Sequence, residues 1–149
     1  MKLTGLEGSR SSDKWQSVLV RMDGRAVERL LQILSRENIV VRRGPETGFL
    51  MMTARDASEN DFHMGEVLVT EAEVDYCGRR GYAIVMGNEP EKAMVRAAVE
   101  VILAGGDMAL VGRIERILSV EAKKQTAASR RASDLLASTK VNFETMPKG

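Results

Sequence analysis

The hydrophobic period of this chain changes twice before its last few residues, and no other feature constrains the fold as strongly. Up to Asn38 the apolar residues recur at helical spacing. Trp15, Val18, Leu19 and Met22 lie at i, i+3, i+4 and i+7, and Val27, Leu30, Leu31 and Leu34 repeat the pattern. From Ile39 the period drops to that of strands, and from Asn88 it returns to that of helices. A chain that reads helices, then hairpins, then helices segregates its helices from an antiparallel sheet, which is the α+β class.

Each segment carries its own signals. "SSDKWQSVLVRM" predicts a short helix with Ser11 and Ser12 as candidate N-caps. "RAVERLLQILSREN" predicts a second, packed against the first as an antiparallel pair. "IVVRR" and "FLMMTAR" flank "GPETG", whose proline and glycines favour a turn, so these segments read as a hairpin. After the polar stretch "DASENDF", Leu68, Ala72, Val74 and Tyr76 alternate with Val69, Glu71, Glu73 and Asp75, giving one buried and one mostly acidic face. "CGRRG" then turns into "YAIVMG". "NEPEKAMVRAAVEVILAGG" opens on Asn88, Pro90 and Glu91 and stops at Gly105 and Gly106, as a helix does. Asp107 caps a last helix carrying Leu110, Ile114, Ile117 and Leu118, which runs on into a polar arm. The tail "KVNFETM" alternates again and predicts a final strand in need of an edge, its own or a neighbour's. The expected architecture is an antiparallel sheet of about four to five strands flanked by N-terminal and C-terminal helices.

With 149 residues the chain is expected to form a single domain, 1–149. Residues 1–11 read as a flexible lead-in, and 120–149 as the polar arm plus terminal strand, a region suited to a partner. No apolar run reaches the roughly 18 residues of a membrane helix, nor does the start read as a signal peptide, so a cytoplasmic location is expected. The 22 basic and 21 acidic residues leave a charge of +1 and no general attraction to nucleic acid or membrane. The single cysteine, Cys77, excludes an internal disulfide and reads as a small buried hydrophobe. The nine methionines read most simply as core filler, and otherwise as an adaptable interface.

Chemistry-bearing motifs are sparse. One histidine and one cysteine, without CxxC or HExxH, argue against a self-contained zinc site, and no metal is expected. There is no Walker A sequence, GxGxxG fingerprint or GxSxG elbow. The candidates that remain lie at two strand mouths. Glu46 and Glu66 offer carboxylates for acid–base work, and the backbone N–H groups around Gly48 and Gly65 offer donors for an anion. The plainer reading is turn formation at Gly44 to Gly48 and a solvated strand end at Glu66. His63 is a candidate base or phosphate donor, or else an exposed loop histidine. Lys123, Lys124, Arg130 and Arg131 on the arm resemble a nucleic-acid patch, but no aromatic residue interleaves for base stacking.

Taken together, "PETGFLMMTARD", "FHMGEVLVTEAEV", "GYAIVMGNEPEKA" and "STKVNFETM" come in the order and spacing of one family. The chain resembles the G subunit of bacterial phosphonate carbon–phosphorus lyase, the PhnG family, from the Trp15 helix to Met146. The resemblance implies a cytoplasmic subunit that works with H, I and J partners. It also implies a part in displacing adenine from ATP by an alkylphosphonate, giving α-D-ribose 1-methylphosphonate 5-triphosphate. ATP is then a co-substrate of the complex, and this chain carries no cofactor of its own. The family's Glu-Thr-Gly motif falls on Glu46, Thr47 and Gly48 and its Gly-Glu motif on Gly65 and Glu66, which adds Thr47 to the anion-binding candidates. Where the family more usually has asparagine, this chain has His63. The alternatives from the residues alone are a stand-alone hydrolase or transferase using Glu46 and Glu66, and a nucleic-acid-binding module using the arm.

Overall fold

The computed structural model describes residues 9–138. Its elements are α1 (Ser9–Arg21), α2 (Gly24–Leu34), β1 (Ile39–Arg55), β2 (Asp61–Tyr76), β3 (Arg79–Met86), α3 (Pro90–Leu103) and α4 (Met108–Ser138). α1 begins at Ser9, so Ser11 and Ser12 lie inside the helix and not at its cap, but the other three helix starts follow the expected residues. Asp23 accepts from the Ala26 N–H at 2.9 Å to open α2, Pro90 lies in the first turn of α3, and Asp107 accepts from Ala109 and Leu110 to open α4.

The middle helix organises the rest. Ala93, Val95, Ala97, Ala98, Val99, Val101, Ile102 and Leu103 of α3 are all buried. A helix apolar almost all round needs cover on both sides. One side of α3 packs on β2 and β3, and the other meets α1, α2 and α4. Burying each large aliphatic side chain in these two seams contributes roughly 1.5–3 kcal/mol. At Gly81 of β3 the helix comes so close that an added Cβ would lie 2.2 Å from the Ala97 carbonyl oxygen. Arg96 crosses the same seam and donates to the Ile84 carbonyl at 2.8 Å.

The sheet is antiparallel as expected, but the described residues form three strands in the order β1-β2-β3. The expected hairpin within 39–55 is one long strand. "GPETG" does not reverse the chain, because its extra residues are absorbed sideways as bulges. Two steps from Val41 to Arg43 face one step on β2, and three from Arg43 to Glu46 face two. Gly44, at φ 75° after this first bulge, passes so close to β2 that a Cβ would lie 2.6 Å from the Glu71 carbonyl oxygen, which leaves room only for glycine. The reversal comes later, at residues 56–60, where Asp56 accepts from the N–H groups of Ser58 and Asn60. The second turn is the two-residue Cys77-Gly78, both at positive φ, as a tight hairpin demands. Cys77 is therefore exposed, not buried, since a turn residue has no core to face.

The two N-terminal helices also differ from expectation. Among the described residues, α1 packs mainly on α4 and α3, and α2 on α3 and α4, rather than along each other. α4 continues unbroken through the polar stretch. Leu110, Ile114 and Leu118 are buried, Gln125 donates to the Val18 carbonyl at 3.1 Å, and residues 127–137 are exposed. The predicted terminal strand, 140–146, lies outside the described residues. No described helix is long and apolar enough to cross a membrane.

Candidate functional site

β2 sets the geometry around the Glu-Thr-Gly segment. Thr70, Ala72, Val74 and Tyr76 point toward α3 and are buried, so Glu71, Glu73 and Asp75 point to the open face. The flanking strands bring arginines to meet these carboxylates. Arg43 Nη2 lies 2.6 Å from Glu71 Oε1, Arg80 Nε lies 2.8 Å from Glu73 Oε1, and Arg42 pairs with Asp75. The acidic face predicted from alternation is thus a ladder of ion pairs.

At the end of this ladder a groove of about 340 Å³ is lined by Arg43, Glu46, Thr47, Gly48, Glu71 and neighbouring apolar residues. Arg43 sits between two carboxylates, donating to Glu46 Oε2 at 3.4 Å while holding Glu71. Glu71 also accepts from the Tyr82 hydroxyl at 2.8 Å, a bond to the neutral phenol that pushes the Tyr82 pKa up. Arg43 and Glu46 are more than half exposed. The cluster holds one guanidinium in reach of solvent and two carboxylates that compete for it, an arrangement able to exchange Glu46 for an incoming anion.

Thr47 is committed differently. Its hydroxyl donates to Asn88 Oδ1 at 3.1 Å and lies 3.3 Å from Thr70 Oγ1. Thr70, fully buried, donates to the Gly87 carbonyl at 2.6 Å and accepts from the Glu89 N–H at 3.0 Å. This chain of hydroxyls ties β1 to the loop between β3 and α3 and fixes where the groove lies. Gly48 has open space around its Cβ position, so packing does not account for its lack of a side chain.

The second motif is elsewhere. Glu66 pairs with Met51 and Glu46 with Glu71, five residues farther along β2, a separation of roughly 17 Å. Two carboxylates so placed do not flank one scissile bond. Gly65 faces Met52, and His63 faces Thr53, whose hydroxyl lies 3.2 Å from His63 Nδ1, still nearer the tip. The structure therefore gathers Glu46, Thr47 and Gly48 and leaves Glu66, Gly65 and His63 apart from them. It adds Arg43, Glu71, Tyr82 and Asn88, which sequence reasoning passed over. The signal for Glu71 was its place in the acidic half of the alternation, opposite an Arg-Arg pair. Asn88 carried a helix-start signal only.

Among the described residues no group of three or more His, Cys, Asp or Glu side chains is placed to hold a metal ion. On the arm, Lys124 is held by Asp23 and Glu121 and so is turned inward to α2.

A family profile described as phosphonate metabolism protein PhnG matches residues 10–149. The chain belongs to the PhnG family. A relative from Rhizobium meliloti (strain 1021), named alpha-D-ribose 1-methylphosphonate 5-triphosphate synthase subunit PhnG, is 29% identical over 109 residues, covering 72% of this chain and 69% of the relative. This PhnG-family chain is thus a phosphonate metabolism protein by family, similar to a protein named as a synthase subunit.

Proposed function

We propose that the chain is a non-autonomous subunit of an α-D-ribose 1-methylphosphonate 5-triphosphate synthase, a transferase acting in the cytoplasm. An oxygen of an alkylphosphonate such as methylphosphonate bonds to the anomeric carbon of ATP, and adenine leaves. The H, I and J subunits of phosphonate carbon–phosphorus lyase are the partners, ATP is a co-substrate of the assembly, and this chain contributes no cofactor. The observation that carries the reading is the named role of the relative from Rhizobium meliloti, joined to a family match that spans nearly the whole chain.

The groove supports a share in the chemistry rather than the whole of it. Arg43 is the group best placed to meet a phosphonate or phosphate oxygen, with Glu46 yielding the guanidinium as the anion arrives. Thr47 positions the strand that carries both. The test is co-expression of the chain with the other three subunits, followed by adenine release from ATP and methylphosphonate. The reading predicts release that depends on this chain and falls about a hundredfold to a thousandfold in Arg43→Gln. Full release by an assembly lacking the chain would refute it.

A further inference from the structure

β3 ends at Met86, opposite Val69, whereas β1 and β2 continue together to Arg55 and Asp61. Beyond that point the described residues form a two-stranded ribbon, and every residue of β2 from Asp61 to Glu66 is exposed, whereas alternate residues from Thr70 onward are buried. Two strands alone are marginal in water. The ribbon nevertheless carries apolar residues on both faces. Phe49, Met51 and Leu68 share the face that continues from Thr70, and Leu50 and Met52 share the other, with Met64 in the bulge near the tip. Phe49 is 71% exposed and Met64 61%, and with Leu50, Met51 and Met52 also exposed the ribbon gathers more apolar surface than scattered single residues would. Large side chains offer about 150–250 Å² each, so half-exposed they present on the order of 600 Å², close to the roughly 800 Å² per partner of a standard interface.

Resting on the subunit reading above, we infer that this ribbon is an arm gripped on both faces by an apolar cleft in a different subunit of the synthase. A second copy of the chain meets the ribbon through one shared face and leaves the opposite face wet, whereas a cleft covers both. Three methionines, Met51, Met52 and Met64, suit an arm that adapts to the cleft. Glu66 adds the polar key. It stands on the Phe49 and Met51 face, and among the described residues its carboxylate has no hydrogen-bond or ion-pair partner. Covered by an apolar wall it needs a cation, so the cleft carries a lysine or arginine facing it.

The experiment places a photo-crosslinking residue at Met64 in the co-expressed assembly, and separately compares retention of the tagged chain's partners for wild type, Phe49→Asp, Glu66→Lys and Glu28→Lys on the exposed side of α2. Expected are a cross-link to one other subunit, loss of partner retention of about tenfold or more in Phe49→Asp and Glu66→Lys, and wild-type retention in Glu28→Lys. Unchanged melting of the isolated variants separates lost docking from lost folding. A cross-link within the chain, which marks the 139–149 tail as the cover, overturns the proposal, as does a cross-link between two copies or normal retention in both ribbon variants. If wild type retains no partner at all, it is the subunit reading that fails.

Discussion

At the scale of single residues, the groove rests on groups that can be separated by substitution. Thr70→Val keeps the volume but leaves the Glu89 N–H and Gly87 carbonyl without their buried partner, a loss of about 1–3 kcal/mol that a denaturant melt measures. Gly81→Ala drives a Cβ into the Ala97 carbonyl and costs about 2 kcal/mol or more, seen as a lowered midpoint. Gly48→Ala meets nothing, so stability stays within about 0.5 kcal/mol of wild type, and any fall in adenine release by the assembly then reports a ligand at that backbone. Tyr82 gives a pH signature. Its hydrogen bond to Glu71 raises the folded pKa above the ordinary value near 10.0, so this contribution is present below pH 10 and lost as pH rises through the higher folded value. Tyr82→Phe removes that alkaline dependence in a spectrophotometric titration of stability.

Among the elements, the helices were the most legible part, because i, i+3, i+4 and i+7 spacing and caps at Asp107 and Pro90 are local properties. The sheet was less so. Turn chemistry in "GPETG" reads the same whether the chain reverses or bulges, and only pairing with β2 decides between them. The burial of the methionines was also misread: Met22 is buried, but Met51, Met52, Met64 and Met86 are exposed. Apolar character in a strand does not say which side has cover. Of the site, Glu46, Thr47 and Gly48 could be singled out from the sequence, but their separation from Glu66 depends on register, which a one-dimensional pattern does not carry. The junction of α2 with α4 has its own test. The bond from Lys124, with that from the Ala26 N–H, holds the Asp23 pKa below its ordinary value near 3.8. Its contribution is therefore present above about pH 4 and lost as pH falls through the lower folded value. Lys124→Ala makes helix loss in acid, followed by circular dichroism, less steep.

For the whole molecule, the layers place cover unevenly. α1, α2 and α4 close one side of α3 and the near half of the sheet closes the other, while the outer sheet face and the ribbon remain open with Tyr82, Ile84 and Met86 in solvent. Protein surfaces of this apolar character are expected where another chain docks. That openness and the Arg43 groove fit the subunit role proposed above, in which neighbouring subunits would complete the site. The most direct test of this central claim is adenine release from ATP and methylphosphonate by the four co-expressed subunits, with and without this chain. The account predicts release only when the chain is present and none from the chain alone. Equal release without it, or turnover by the isolated chain, would contradict the account.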